Sequence, residues 1–226
     1  LPNIGIATYQ HLKMVFGVET VKPDQRVKEV LDYEFGLEKL NDIISNKTGL
    51  KLDTYFPASK LPARMPYGNF SAQLTDGLRI IGSETTIPVM HVQHGSFDTH
   101  DGQKWQHPKL LSELTEGLAS FRKNLINMGR WDDVLVMTYS EFGRRVAENG
   151  AQGTDHGAAS VQFVMGGKVN AGLYGDYPSL DKLEDGDLVY TMDYRSVYEH
   201  ICSSWLNQKN NEWQTFSDKR LRSLIS

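Results

Sequence analysis

Val134-Leu135-Val136-Met137-Thr138-Tyr139-Ser140-Glu141-Phe142-Gly143-Arg144 is the stretch that decides the fold class of this chain. Its first six residues are a short, almost wholly apolar run rich in β-branched and aliphatic side chains. That is the pattern of a strand buried on both faces, as in a parallel sheet. Trp131-Asp132-Asp133 leads into the run, and polar Ser140 and Glu141 follow it at once. A charged side chain directly beyond a buried strand stands where an open α/β sheet gathers its ligand-binding groups, at the carboxyl edge.

Outward from this strand, helix and strand patterns alternate. On the N-terminal side, Leu110, Leu111, Leu114, Leu118, Phe121, Leu125 and Ile126 trace a wide apolar stripe, which predicts a helix over 107–127. Ile87-Pro88-Val89-Met90-His91-Val92 reads as a strand, and Phe70, Leu74, Leu78 and Ile81 mark a helix over 70–83. Residues 46–68, punctuated by Asn46, Gly49, Pro57, Pro62, Pro66 and Gly68, read as a surface excursion. Before them the three- and four-residue spacing of Val27, Val30, Leu31, Phe35, Leu37, Leu40 and Ile44 predicts a helix from Lys22 to Ser45, with Asp24 as its N-cap. On the C-terminal side, Gln162-Phe163-Val164-Met165, closed by Gly166-Gly167, is a further strand, and 192–206 a final helix. This order predicts one α/β domain over 1–226, layered, with a mostly parallel sheet. Strands near 87–93, 134–139 and 161–165 are expected side by side. The first two should run parallel, with helix 107–127 crossing between them, because parallel neighbours need such a connection.

The composition suits a globular domain: 226 residues, 39% hydrophobic and 23% charged. A net charge of −4 with a pI near 6.0 argues against a nucleic-acid surface, which normally shows a basic face. No apolar run approaches the ~18–20 residues needed to span a bilayer. Cys202 is the single cysteine, so an internal disulfide is excluded; its place in a helical pattern makes it a small core residue.

Chemistry concentrates in three short segments. In Phe97-Asp98-Thr99-His100 the two candidate ligands lie two residues apart, and in extended backbone such residues point to the same side. Glu141 follows the central strand, with Arg144 and Arg145 close behind. Gly153-Thr154-Asp155-His156-Gly157 sets an Asp-His pair between two glycines. Carboxylate oxygens mixed with imidazole nitrogens from separate segments are the ligand set of a Zn, Mn or Fe site. On this reading Asp98, His100, Glu141, Asp155 and His156 are metal ligands, and Arg144 offers bidentate contact to a tetrahedral oxyanion such as phosphate or sulfate. The alternative is structural: Asp98 or Thr99 caps a helix, Asp155 caps a turn, the histidines make ordinary hydrogen bonds and one arginine balances Glu141. His107, beside Pro108 at the expected helix start, is either a group that reaches the pocket or part of the helix-end packing.

These motifs carry a family resemblance. Ser96 to Gln103, Val134 to Arg145, Glu148-Asn149-Gly150, Gly153 to Gly157 and Gly172-Leu173-Tyr174-Gly175-Asp176-Tyr177-Pro178 resemble the DUF1501 family, sulfatase-like proteins of the alkaline-phosphatase superfamily. The likeness is specific from about Tyr67 to Leu206. His94-Gly95-Ser96 departs from it, since the family pattern more usually has two glycines there. The resemblance implies a mostly parallel sheet between helical layers with one or two divalent ions, Zn or Mn, at its carboxyl edge. It also implies hydrolysis of a phosphate or sulfate ester, small or polymeric, and export to the periplasm or beyond. Asp98 and His100 would bind one ion, with His156 and Asp155 returning to it. Glu141-Phe142 stands where relatives carry an Asp-His pair, which weakens a second ion. The nucleophile and one aspartate ligand of the superfamily come from an N-terminal strand ending in Asp. Leu1-Pro2-Asn3-Ile4 shows no such strand, so the chain reads as the C-terminal part of a longer protein, with its catalytic nucleophile elsewhere. His107 and Arg144 are the catalytic candidates within it. The rival class is a non-catalytic metal- or ligand-binding protein that retains the fold.

Overall fold

The computed structural model describes residues 4–9, 18–19, 58–83, 89–207 and 213–226. The helix expected over 22–45 and residues 46–57 of the expected excursion lie outside them. Of the rest of that excursion, Ala58–Lys60 forms a short 3-10 helix followed by irregular chain.

Among the described residues the chain is mixed α/β, built on a four-stranded sheet with two-stranded antiparallel pairs: β2 (Val18–Glu19) with β7 (Ala159–Ser160), β5 (Gly143–Arg144) with β6 (His156–Gly157), and β9 (Leu183–Glu184) with β10 (Asp187–Leu188). The strands of the four-stranded sheet are β1 (Ile4–Tyr9), β3 (Val89–Gln93), β4 (Val134–Tyr139) and β8 (Val164–Gly166), in the order β3-β1-β4-β8. Two of the sequence expectations need correction. Of the strand expected over 87–93, residues 87–88 lie outside those described and 89–93 form β3; it shares a direction with 134–139, but the two do not touch, because β1 lies between them, parallel to both. Its register pairs Ile6 with Met90 on one side and with Val136 on the other. Ile4-Gly5-Ile6-Ala7-Thr8-Tyr9 is short, and half its residues are small or polar, so its pattern alone does not mark a central strand. The third expected strand does adjoin β4, but it runs antiparallel to it, with Val136 opposite Met165. Thr138 extends that pairing: its amide donates to Phe163 O at 2.9 Å, and its Oγ1 accepts from the Phe163 amide at 2.8 Å.

Every residue of β4 is buried, and the strand's two faces serve two cores. Val134 and Val136 pack with Met90 and Val92 of β3 and with the apolar stripes of α1 (Asn69–Gly82) and α2 (Gln103–Asn127). Leu135, Met137 and Tyr139 pack instead with Val197, Tyr198 and Ile201 of α3 (Tyr194–Ser204), and with Leu221 and Leu224. A strand with both faces covered cannot alternate polar and apolar residues, which is why its sequence reads as one apolar run.

The helix after β3 begins a turn earlier than the apolar stripe predicts. Gly102 adopts a left-handed conformation (φ 46°) that turns the chain into α2, and the amides of Trp105 and Gln106 donate back to its carbonyl. Pro108 therefore falls inside the helix, where its missing N–H removes a single backbone bond. α1 and α3 match their expected spans within two residues, and Asp193 caps α3 by accepting from the Arg195 amide at 2.9 Å.

Candidate functional site

Beyond the ends of β3 and β4 the chain makes two loops that fold onto each other. The first, Phe97 to Asp101, leads into α2. The second runs from β5 (Gly143–Arg144) round to β6 (His156–Gly157), which pairs antiparallel with β5 and puts Arg144 opposite His156. Asp101 pairs with Gln152, and the Gly102 and Gln103 amides donate to Ala151 O and Gln152 O at 3.1 and 3.0 Å. Contact this close requires glycine: a Cβ on Gly153 would lie 2.3 Å from the carbonyl of His100, and one on Gly157 would lie 2.5 Å from the Arg144 backbone. Those are the two glycines that bracket the Asp155-His156 pair.

The result is a compact cluster. Asp98 Oδ1 lies 2.8 Å from His156 Nε2 and 3.0 Å from His100 Nε2, and the two imidazole nitrogens lie 3.0 Å apart. All three residues are exposed, and their ligand atoms lie within 4.8 Å of one another; no other group of three or more metal-ligating side chains converges in this way among the described residues. Two expected ligands stand elsewhere. Asp155 is behind His100, with its Oδ1 3.7 Å from Nδ1, the ring nitrogen that faces away from the cluster. Glu141, half-buried, is not in the group. A tight turn, in which Ser140 Oγ donates to Phe142 O at 2.7 Å, carries the chain one residue further, and Phe142 arrives instead. Its ring stacks on His156 at a centroid distance of 3.5 Å and a 10° angle.

Arg144 is 5% exposed. It donates to Asp98 Oδ1 at 3.3 Å, to Phe97 O at 3.2 Å and to Thr154 O, so one guanidinium ties both loops and a cluster carboxylate together. Burial pushes its pKa down to about 10, opposed by the charge of Asp155, so it stays protonated at neutral pH. His107 lies on α2 behind the first loop: its Nε2 is 2.9 Å from Thr99 Oγ1, and its ring meets Phe97 edge-on. Burial holds its pKa below the usual histidine value. Both catalytic candidates therefore contact the protein's own loops.

Sequence reasoning gave no role to Asn149. Its Nδ2 donates to His100 O at 2.9 Å and to Asp155 Oδ1 at 3.2 Å, and its Oδ1 accepts from the Ala151 and Gly153 amides at 3.0 Å each. The Asn149 bond, first, and then contact with His100 and the charge of Arg145 hold the Asp155 carboxyl below its ordinary pKa. The available signal was the Glu148-Asn149-Gly150 motif, an asparagine beside a glycine in a loop. Strain also gathers here. Ser96 (φ 75°), just before the first loop, and Gln152 (φ 61°), in the second, take left-handed backbone; among the described residues the other non-glycine positions so placed are Asp185 and Asn207, types that tolerate it. A cavity of about 610 Å³ opens elsewhere, between the 161–177 segment and Leu221 and Leu224, and no cluster residue lines it.

Fold and cluster together define a mixed α/β protein that gathers an aspartate and two histidines beyond the ends of its parallel strands. The chain belongs to the DUF1501 family: residues 59–215 match the family described as Protein of unknown function (DUF1501). That match contains every cluster residue and begins after β1. No curated protein and no solved structure matches the chain.

Proposed function

We propose that Asp98, His100 and His156 hold a divalent cation, Zn or Mn, and that the protein uses it to hydrolyse a phosphate or sulfate ester. The observation that carries this reading is the contact between His100 Nε2 and His156 Nε2 at 3.0 Å, with both also against Asp98 Oδ1. Two imidazole nitrogens and a carboxylate oxygen aimed at one point share too few protons to satisfy one another, whereas a cation satisfies all three. The donor set fits. Ligands held about 2.0–2.2 Å from a tetrahedral zinc lie about 3.4 Å apart, so these side chains need to open by only a few tenths of an ångström. Three protein ligands on an exposed face leave a position for water or substrate, as catalytic rather than structural sites do.

Bound there, a divalent cation supplies Lewis acidity toward an ester oxygen and lowers the pKa of a water. The chain's own residues orient the site. Arg144 fixes Asp98, the Phe142 ring sets the plane of His156, and Thr99 is engaged by His107 and by Gln103 Nε2 at 3.0 Å. With Thr99 so engaged and Thr154 Oγ1 donating to Gln103 at 3.2 Å, the hydroxyls nearest the ligands in sequence are taken. Attack is therefore assigned to a water or to a nucleophile on another segment. The ester class and export rest on the family resemblance. A non-catalytic metal-binding role is the second reading, favoured by the burial of Arg144, which keeps its guanidinium from an oxyanion. Titration of the full chain with Zn²⁺ and Mn²⁺, followed by assay of the loaded protein on aryl phosphates and aryl sulfates, separates the readings. Stoichiometric uptake with turnover supports the hydrolase, uptake without turnover supports the binding protein, and no uptake by the wild type sinks both.

A further inference from the structure

We propose that Asp155 is a positioning residue that works from behind His100 and does not bind the cation. This rests on the metal reading above. A histidine binds a metal through one ring nitrogen, and the proton on the other nitrogen needs an acceptor that fixes the tautomer and the ring plane. His100 turns Nε2 toward Asp98 and His156, at 3.0 Å from each, and Nδ1 toward Asp155 Oδ1 at 3.7 Å. The carboxylate thus faces the nitrogen a metal would leave protonated, and it stands outside the group whose ligand atoms converge.

Asp155 is itself held. The Asn149 carboxamide donates to the same Oδ1 at 3.2 Å and to the His100 carbonyl at 2.9 Å, so one side chain sets the spacing between the histidine's backbone and the carboxylate behind its ring. The Asn149 oxygen takes the Ala151 and Gly153 amides, which fixes the carboxamide the right way round. The Asp-His dipeptide therefore splits its work: His156 faces the cation, and its neighbour Asp155 orients the histidine of the other loop.

Cobalt(II) is the probe, because its d–d absorption reports coordination directly. Wild type, Asp155→Ala and Asp155→Asn are titrated with Co²⁺ at one pH. The expected result is an affinity about 10- to 100-fold weaker for Asp155→Ala, the usual effect of losing such an orienting partner. Asp155→Asn should fall between, because its amide oxygen still accepts a hydrogen bond but carries no charge. At saturation both variants should show the wild-type band positions and intensities. Unchanged affinity in Asp155→Ala overturns the proposal, and so does a changed spectrum at saturation, which would make Asp155 a ligand. If the wild type takes up no cobalt, the metal reading itself has failed, a result distinct from either of these. Asn149→Ala gives a second line: it should weaken cobalt binding in the same direction without altering the spectrum, and unchanged binding there removes the carboxamide from the argument.

Discussion

Two charged networks in this molecule differ in how their protons and lone pairs balance. Around the C-terminus Arg220 meets Asp218 through Nε and Nη2 and also reaches Asp176 and Thr191 O, while Arg195 grips Asp193 and lies 3.9 Å over the Phe216 ring. Each guanidinium there has its carboxylate, and two of the aspartates also cap helices. In the loop cluster, one carboxylate oxygen faces two imidazoles and an arginine, and the imidazoles face each other. The Nε of Arg144 is buried without a hydrogen-bond partner. The first network is closed and fastens the chain end. The second has an excess of nitrogens converging on one oxygen, and that imbalance, more than the count of charges, is what the proposed cation would relieve.

The sharpest test of this contrast separates binding from stability. His156→Ala should reduce zinc affinity more than about 100-fold, since it removes one of three ligands, while its half-exposed ring leaves the fold within about 1 kcal/mol of wild type. Arg220→Met should do the reverse, leaving the zinc isotherm of the full chain unchanged and lowering stability. Calorimetric titration beside urea unfolding reads both, and a shift of zinc affinity in the Arg220 variant would show that the two networks are not separate.

Stability should rank the two arginines. Arg144→Met deprives Phe97 O and Thr154 O of their donor in a buried setting and releases both loops, a cost of about 3 kcal/mol. Arg220→Met, at a side chain 32% exposed, should cost about 1 kcal/mol, as partly solvated ion pairs do. Equal losses by urea unfolding would mean that Arg144 is no more of a clamp than its counterpart.

These contrasts were only partly legible in the chain. The run Val134–Tyr139 announced itself because burial on both faces leaves one apolar string, and Asp98, His100 and His156 were readable because their spacing beside glycines is a local signal. The place of β1 was not, since a central position is decided by partners 80 to 130 residues away, as the pairings of Gly5 with Val89 and Leu135 show. Nor could spacing distinguish Glu141 from Phe142, because a turn of one residue decides which of them reaches the cluster. The roles of Arg144 and Asn149 depend on carbonyls from another loop, and a carbonyl carries no side-chain signature.

A smaller effect distinguishes the closed network by pH. Hydrogen bonds from Arg220 hold the Asp218 carboxyl below its ordinary value of 3.8. A carboxyl depressed on folding contributes stability above its unfolded pKa and loses it as pH falls through the folded one. Asp218→Asn should therefore cost about 1 kcal/mol at pH 7, where the pair is partly solvent-exposed. The gap from wild type should begin to close below about pH 4, as the unfolded carboxyl takes up protons. Thermal unfolding of both proteins from pH 7 to pH 3 checks it; a gap constant across that range would remove the ion pair from the latch.

The smallest expected effect lies in the strained loop. Ser96 holds φ at 75°, a left-handed backbone that costs a residue with a Cβ about 1–2 kcal/mol and glycine almost nothing. Glycine in turn loses about 0.5–1 kcal/mol through the greater freedom of its unfolded chain. The two terms leave Ser96→Gly more stable by about 0.5 kcal/mol, at the very position where the family resemblance leads to the expectation of a second glycine. Since Ser96 precedes Asp98 by two residues, relief of that strain should also leave the zinc isotherm unchanged if the loop is held by Arg144 and by the Asp101–Gln152 bridge, and not by backbone strain. A stability gain accompanied by weaker zinc binding would show instead that the strained serine aims Asp98, and would move the origin of the cluster's geometry from its buried arginine to its backbone.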